Sequence, residues 1–263
     1  MEFIIMKGIR LLRRMKAALR REDYQVTYAQ CGEDRILHFL FGLLDIPHPT
    51  YLDIGAHHPT HLSNSYLFYR EGARGVCVEP DPQLCKNIKV ARPHDICLNI
   101  GIAAGATRDL KFYMFDDPTM NTFSESVKQE QLRAGRILRQ ELQVEVQSIN
   151  SVIARHSSAC PNLISLDTEG MDMAILETFD FGTYRPEAFC IETLTNVDDR
   201  KMTEIIDFMI SKHYAVYADT FVNTIFVEQQ CWTGWLAKRR QMQKNSATSV
   251  DGSSSRRESF PTS

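Results

Sequence analysis

Acidic residues follow two apolar segments in the second half of the chain, where strands are expected to end. Asp167, Glu169 and Asp172 follow the first segment, and Glu192 follows the second. Neighbouring carboxylates repel each other, which raises the pKa of one and suits it to accept a proton near neutral pH. We therefore predict Asp167, Glu169 and Glu192 as catalytic residues. Glu169 and Asp172 would equally suit the N-terminus of the helix that begins near Gly170, without any part in chemistry.

The same acids offer a second kind of chemistry, the binding of a divalent cation. Carboxylate oxygens are the protein ligands that Mg²⁺ prefers. Asp167 and Glu192 end neighbouring predicted strands and could hold the ion between them. Mg²⁺ is therefore an alternative to the general base, and no metal ligand is predicted.

The turn after the first predicted strand forms a second candidate site. Asp53 and Gly55 end that strand, and a glycine there lets the chain turn tightly and lets a ligand approach the backbone. A dinucleotide-binding turn has the pattern GxGxxG, which exposes backbone N–H groups to a pyrophosphate. His57 and Thr60 occupy its second and third glycine positions here. The pattern therefore disfavours a pyrophosphate ligand.

Three histidines lie in this turn, at His57, His58 and His61. Neutral imidazole is a common metal ligand, so the turn and the strand-end acids could form the centre of a metal-dependent hydrolase. However, the three are not spaced i, i+4 on a helix, and Pro59 restricts the directions of their rings. We predict a structural or cofactor-contact role, with His57 in the cofactor site, and keep the metal centre and a general base as alternatives.

A further acid ends the second predicted strand, in Glu79-Pro80-Asp81. A carboxylate 20 to 30 residues beyond a glycine turn can accept hydrogen bonds from both hydroxyls of a ribose, roughly the spacing known from dinucleotide folds. Together with the missing pyrophosphate pattern, this indicates a nucleoside ligand that has a ribose and no diphosphate. S-adenosylmethionine has that description.

The candidate site residues are positioned by secondary structure elements. From residue 50 onward, apolar runs typical of strands alternate with segments of helical periodicity. Predicted strands cover 50–55, 74–81, 95–104, 162–170, 187–194, 214–220 and 223–229. Helices between the first five strands imply parallel βαβ units. The last two are too close for a helical crossover, so they form an antiparallel hairpin. The predicted fold is α/β, a Rossmann-like seven-stranded methyltransferase sheet, mostly parallel with a C-terminal antiparallel hairpin.

The segment 105–161 is less regular than the rest. LKFYMF reads as an extra strand, 124–140 as a polar helix, LQVEVQSI as a half-exposed strand and NSVIARH as a short helix. We expect this region to shape part of the pocket for the second substrate.

The two ends differ from the middle in composition. Residues 1–23 are predicted as a basic amphipathic helix, which either packs on the domain or contacts an anionic membrane through 1–22. Residues 24–235 form the predicted domain. The Ser-rich segment 236–263 is predicted to be disordered, because it offers little apolar surface to bury. A non-catalytic membrane-surface module is a further alternative.

The bulk composition narrows the class of protein. The chain has 263 residues, a net charge of −3 and seven cysteines, and no two of the cysteines form a CxxC pair. The charge disfavours nucleic acid as a partner. Dispersed cysteines favour a reducing compartment, and without an apolar run of about 18 residues or a secretory signal we expect a cytoplasmic protein.

Several ordered motifs resemble the FkbM-type methyltransferase family. They are YAQCGEDRIL (28–37), YLDIGAHHPTHLSNSYLFY (51–69), GVCVEPDP (75–82), LNIGIA (98–103), MNTFS (120–124), LISLDTEGMDMAIL (163–176) and FCIET (189–193). The resemblance implies an S-adenosylmethionine-dependent O-methyltransferase acting on a hydroxyl of a sugar, glycan or other small molecule. It also implies the cofactor-binding residues Gln30, Asp34, Asp53, Gly55, Ala56, Glu79, Asp81 and Asn99. Glu79 would hold the ribose, and Asp81 and Asn99 would border the adenine.

Overall fold

A computed structural model describes residues 25–105, 108–195 and 200–251, with side chains described up to 243. The basic helix predicted at 1–23 and the last part of the predicted tail, 252–263, lie outside the described residues. Within the described part of the chain, no helix combines the length and the apolar character that crossing a membrane requires.

Eight helices and ten strands are described. The helices are α1 (Glu33–Leu43), α2 (Tyr66–Arg70), α3 (Pro82–Ala91), α4 (Glu125–Arg133), α5 (Ile149–His156), α6 (Asp172–Thr178), α7 (Thr203–Ser211) and α8 (Gln229–Asp251). The strands are β1 (Tyr51–Ile54), β2 (Gly75–Val78), β3 (Ile96–Leu98), β4 (Gly101–Ile102), β5 (Arg108–Phe115), β6 (Leu138–Gln147), β7 (Leu163–Leu166), β8 (Ala188–Glu192), β9 (Tyr214–Asp219) and β10 (Asn223–Glu228).

Seven strands form the main sheet in the order β3-β2-β1-β7-β8-β10-β9. The first five run parallel, while β10 is antiparallel to both β8 and β9. The predicted Rossmann-like sheet with a terminal hairpin is therefore confirmed. The order reverses between β1 and β7, which is where ligands bind in open α/β sheets.

The central strands are buried on both faces, which explains their continuous apolar runs. Successive side chains of a strand point to opposite faces. Tyr51 and Leu163 accordingly pack in one core, and Leu52 and Ile164 pack in the other. All residues of β1, β7 and β8 are buried, and because these strands run parallel their carboxyl ends lie at the same edge of the sheet.

The irregular region forms a second sheet in the order β4-β6-β5. It contains the two predicted extra strands, which pair antiparallel. The helix predicted at 124–140 is shorter, because the chain turns at Gly135 with φ of +84° and then enters β6. The strand predicted at 95–104 is divided, since β3 joins the main sheet while β4 pairs with β6.

The C-terminal helix differs from the prediction. α8 runs from Gln229 to Asp251 and so crosses the predicted domain boundary at 235. Its first turn is anchored because Trp232 packs against Tyr217, with ring centroids 5.4 Å apart. The residues that follow include many Ala, Lys, Arg, Gln and Met, whose high intrinsic helix propensity favours continuation of the helix independently of tertiary packing. The Ser-rich composition alone did not reveal this continuation.

Candidate functional site

A cleft of about 350 Å³ lies at the carboxyl ends of β1, β2, β7 and β8. The start of β10 and the segment between β5 and α4 complete its walls. This volume is in the range of small-molecule sites. Of the residues predicted from sequence, the structure brings together here Gln30, Gly55, His57, Glu79, Asp167, Glu169 and Glu192.

Position 55 requires a glycine because the chain at the end of the neighbouring strand β7 leaves no room for a side chain, and the same glycine lets a ligand approach the backbone. Its φ is +78°, and a Cβ at this position would lie 1.8 Å from the carbonyl oxygen of Asp167. No side chain can therefore replace the hydrogen at Gly55 without moving the end of β7. This close approach brings the turn after β1 against the acids after β7.

Glu79 is buried at the end of β2 and faces the cleft. Its Oε2 accepts a hydrogen bond from the backbone N–H of His57 at 2.7 Å, and its Oε1 accepts one from that of Asp81 at 2.8 Å. Burial raises the pKa of Glu79 to about 8. Each carboxylate oxygen can accept a further hydrogen bond, so the side chain is held in place and can still bind two hydroxyls.

Asp53 and Ala56 do not line the cleft. The Asp53 carboxylate accepts hydrogen bonds from the hydroxyls of Ser65 and Ser165 beneath the turn. Burial raises the pKa of Asp53, and the nearby Arg92 guanidinium acts in the opposite direction. Ala56 is buried, and its N–H donates to the carbonyl of Val78 at 3.1 Å. Both residues shape the turn from behind.

Asp81 and Asn99 also lie outside the cleft lining. Asp81 caps α3, because its Oδ1 accepts from the N–H groups of Gln83 at 2.8 Å and Leu84 at 3.2 Å. The Asn99 amide donates to the carbonyls of Glu79 and Pro80, at 2.9 Å each. These contacts fix the backbone after β2, and the expectation that both side chains border the adenine stays a prediction.

The segment before α1 contributes differently from the prediction. Gln30 lines the cleft, whereas Asp34 does not. The Asp34 carboxylate accepts from the Thr27 hydroxyl at 2.6 Å and from the Tyr28 N–H at 2.7 Å, so it orders the loop before its own helix.

His57 is the histidine of the turn that reaches the cleft. Its φ is +48°, and its Nδ1 and Nε2 are buried without a hydrogen-bond partner among the described residues. Burial lowers the pKa of His57, which favours the neutral ring. A ligand can therefore pair with it, either as donor or as acceptor.

The other two histidines stabilise the turn itself. The Nδ1 of His58 accepts from the N–H groups of Thr60 at 3.2 Å and His61 at 3.0 Å. Among the described residues, the group close enough to share a metal ion contains Asp167, Glu169 and Glu192 and no histidine. The structure thus does not assemble the histidine-based centre that the hydrolase alternative requires.

The three predicted catalytic acids meet in the cleft, with one oxygen of each within 4.8 Å of the others. Burial and the nearby Asp172 raise the pKa of Asp167 to about 7. Burial and the negative charge of Asp167 raise the pKa of Glu192 above its usual range. The Asp167 and Glu192 side chains are hydrogen-bonded, so the pair can hold one proton between them near neutral pH.

Asp172 takes the structural role that the sequence left open. Its Oδ1 accepts from the Thr168 N–H at 3.0 Å and from the Thr168 hydroxyl at 2.9 Å. It begins α6 and is buried behind the cleft lining. Its charge acts on the site from a distance by raising the pKa of Asp167.

The segment 105–161, which was expected to shape part of the acceptor pocket, supplies Phe112, Pro118, Met120, Asn121 and Phe123 to the lining. Leu62, Asn64, Thr168 and Asn223 also line the cleft and were not singled out individually, although the first three lie within motifs of the family resemblance. Asn223 begins β10 directly opposite Glu192, and this register is set by the hairpin rather than by any local pattern.

The charge of the cleft fits the cofactor that the resemblance implies. Four carboxyl groups line it, and the described lining contains no Lys or Arg. S-adenosylmethionine carries a sulfonium and an ammonium group, which the negative charge remaining on Glu169 and on the Asp167–Glu192 pair attracts, whereas a diphosphate would be repelled. Val78, Pro80 and Ile102 supply an apolar surface beside Glu79, as a nucleoside base and ribose require.

Solved structures with a similar chain path are methyltransferases. A TehB-like SAM-dependent methyltransferase from Corynebacterium glutamicum is 11% identical with a TM-score of 0.39, covering 84% of this chain and 97% of its own. A putative caffeoyl-CoA O-methyltransferase from Staphylococcus aureus is 8% identical with a TM-score of 0.44, covering 84% and 91%.

The sequence comparisons are more decisive. No curated protein matches the chain. The family model of the methyltransferase FkbM domain matches residues 53–217, which is more than half of the chain and contains Gly55, Glu79, Asp167 and Glu192. The chain therefore belongs to the FkbM methyltransferase family, and its cofactor is S-adenosylmethionine.

Proposed function

We propose that this methyltransferase is an O-methyltransferase that acts on a hydroxyl of a sugar, a glycan or another small molecule. One observation carries the proposal: Asp167 and Glu192 form a hydrogen-bonded acid pair in the cleft, and the pKa of Asp167 is raised to about 7. A hydroxyl is a poor nucleophile that must lose its proton, and an acid with this pKa is suited to accept it.

The residues divide the work between binding and proton transfer. Glu79 would hold the ribose hydroxyls, and the turn at Gly55 would admit the cofactor close to the backbone. When bound, the cofactor would supply a methyl group that its sulfonium activates. The walls of the cleft would orient the acceptor hydroxyl, and such positioning of a reacting group can lower a barrier by about 7–11 kcal/mol.

Asp167 accepts the hydroxyl proton as the acceptor oxygen attacks. Glu192 shares its proton with Asp167 beforehand and so controls the charge of the pair. Glu169 lies within 4.8 Å of both and keeps the site negative. Proton transfer to a positioned base contributes about 10²–10⁴ to such a rate.

The test is methyl transfer from S-adenosylmethionine with a deuterated methyl group to a panel of hydroxylated acceptors, followed by mass spectrometry of the products. The proposal expects a methyl ether that survives treatment with mild base and with hydroxylamine. A methyl group found on nitrogen or sulfur, or as a carboxyl ester cleaved under those conditions, would replace O-methylation by another methyl transfer.

We also propose a cytoplasmic location, with peripheral membrane contact through residues 1–22. All seven cysteines are free, which supports a reducing compartment. Liposome sedimentation of the full chain and of a variant lacking 1–22 tests the second part, since equal sedimentation of both forms would contradict it.

A further inference from the structure

A buried glutamate next to the cleft joins two distant parts of the chain. Glu33 is 0% exposed at the start of α1. Its Oε1 accepts hydrogen bonds from the Thr220 hydroxyl at 2.6 Å and the Asn223 amide at 3.0 Å, and its Oε2 accepts one from the Cys31 N–H at 2.8 Å. A buried carboxylate with three donors is a fixed anchor for the groups around it.

This anchor determines which atom of Asn223 faces the cleft. Asn223 is 5% exposed and lines the cleft opposite Glu192. The Asn223 Nδ2 donates to the Glu33 Oε1, so the amide turns its nitrogen toward Glu33 and its oxygen away from it. The Asn223 Oδ1 then has no partner in the described protein and is presented as an acceptor.

Asn64 is arranged in the same way on the other side of the cleft. Its Nδ2 donates to the Ser165 hydroxyl at 3.1 Å, and that hydroxyl donates to the buried Asp53 carboxylate. No donor among the described residues pairs with the Asn64 Oδ1, which is therefore available in the cleft lining. Two separate buried acids thus orient two amides with their oxygens toward the ligand.

Asn223 belongs to the half of the cleft that the cofactor does not need. It begins β10, four strands from β2 in the sheet order, and Glu79 ends β2. At about 4.8 Å per strand this separation is about 19 Å. A nucleoside held by Glu79 therefore leaves the walls near Asn223 to the acceptor.

The walls of this half favour one chemical class. The carboxyl oxygens of Asp167, Glu169 and Glu192 and the Asn223 Oδ1 can all accept hydrogen bonds, and no Lys or Arg is among the described residues that line the cleft. A ligand rich in hydroxyl donors satisfies these walls, whereas a phosphate or carboxylate would meet the negative charge that remains on Glu169 and on the Asp167–Glu192 pair.

We infer that the methyl acceptor is an uncharged compound with several hydroxyl groups, and that Asn223, held by Glu33, binds one of these hydroxyls through its Oδ1. The inference rests on the proposed function and adds to it the charge class of the acceptor and a residue that determines specificity. Asn223 contacts the acceptor, and Glu33 is a positioning residue that acts through it.

The first arm of the experiment uses the full chain, deuterated S-adenosylmethionine and matched acceptors. Each methyl hexoside in the panel is offered beside its phosphate monoester and its uronic acid. We expect neutral O-methyl products, with kcat/KM at least about 100-fold lower for the charged members, because like charges repel in the cleft. Charged O-methyl products formed as fast as neutral ones would overturn the inference and leave the proposed function intact. N-methyl, S-methyl or carboxyl-ester products would instead overturn the proposed function.

The second arm uses two variants and one matched control. Asn223→Ala should raise KM for the neutral acceptor about tenfold, because one hydrogen bond is lost, and change kcat less than threefold. Glu33→Gln keeps the size of the side chain but can donate to Asn223, so the amide can reverse, and KM should rise by about 3–10-fold. Asn87→Ala changes an exposed asparagine of α3 and should leave every constant unchanged.

Cofactor affinity distinguishes a specific contact with the acceptor from a general structural defect, because a structural defect would lower that affinity as well. The affinity for S-adenosylhomocysteine, measured by calorimetry, should stay within threefold of wild type in both variants. An acceptor KM that stays at the wild-type value in Asn223→Ala would overturn the role of this residue. A parallel loss of cofactor affinity in Asn223→Ala would show that the residue supports the whole cleft rather than the acceptor, which also contradicts the inference.

Discussion

The two halves of the cleft use their acidic residues in opposite ways. In the half formed by β1 and β2, Asp53 and Asp81 are occupied with hydrogen bonds inside the protein, and only Glu79 faces the ligand. In the half formed by β7 and β8, Asp167 and Glu192 both face the cleft. An acid at a strand end therefore becomes part of a site only when the surrounding backbone leaves its oxygens available.

The difference also appears in the physical cause of the raised pKa values. Burial is the largest cause for Glu79, whose partners are backbone N–H groups that favour the ionised form. For Asp167 and Glu192, burial is joined by the repulsion of neighbouring carboxylates. The first arrangement is suited to holding a ligand, and the second to accepting a proton.

The largest effect is expected from a substitution of the base in the proton-accepting half of the cleft. Asp167→Asn removes the base while keeping its size, so kcat should fall about 10²–10⁴-fold. Single-turnover kinetics with saturating cofactor measures this directly. Asp207→Asn makes the same chemical change at an exposed position of α7 and serves as the matched control. A kcat within threefold of wild type would remove Asp167 from the mechanism.

The pH dependence of kcat tests the same assignment of Asp167 as the base. Asp167 must be ionised to accept a proton, and its pKa is raised to about 7. At saturating substrates, kcat should therefore fall about tenfold for each pH unit below 7 and level off above it. The slope should disappear in Asp167→Asn. A wild-type kcat that stays constant from pH 5 to 8 would contradict a base with this pKa.

The effect expected for Asp53 concerns stability rather than binding. Asp53→Ala leaves the hydroxyls of Ser65 and Ser165 without their acceptor and removes a negative charge near the buried Arg92. We expect a loss of about 1–3 kcal/mol in the free energy of unfolding, with cofactor affinity within threefold of wild type. Urea unfolding and calorimetry measure the two quantities. A cofactor affinity reduced more than tenfold at unchanged stability would return Asp53 to the binding site.

The smallest effect belongs to Asp81. Asp81→Ala removes the cap of α3 and should lower the free energy of unfolding by about 1 kcal/mol. Asp81→Asn, which can still cap the helix, should recover most of the loss in a urea titration. If the alanine variant lost cofactor affinity more than tenfold and the asparagine variant did not regain stability, Asp81 would be a ligand-binding residue.

The sequence predicted the framework of the molecule better than the walls of its cleft. The order of strands and helices and the terminal hairpin were readable because apolar runs and turn residues are local signals. The meeting of Asp167 and Glu192 was also predictable, since parallel strands end at one edge of a sheet. Neither prediction requires knowledge of the conformation of a particular side chain.

Other residues depend on contacts between distant segments and had no local signal. Asp34 was predicted to bind the cofactor, yet it is the neighbouring Glu33 that anchors Asn223, which is 190 residues away. The partners of Asp53 and Asn99 likewise lie on other elements. A residue type and a strand end thus indicate which atoms are available, whereas tertiary hydrogen bonds decide which of them a ligand meets.

The most direct test of this division is calorimetric titration with S-adenosylhomocysteine of wild type, Glu79→Ala and Asp167→Asn. Removing the hydrogen-bond partner of a buried polar group costs about 1–3 kcal/mol, so Glu79→Ala should bind about 10–100-fold more weakly than wild type. Asp167→Asn should bind within threefold of wild type. An equal loss in both variants, or unchanged binding in Glu79→Ala, would contradict the separation of the cleft into a cofactor-holding half and a proton-accepting half.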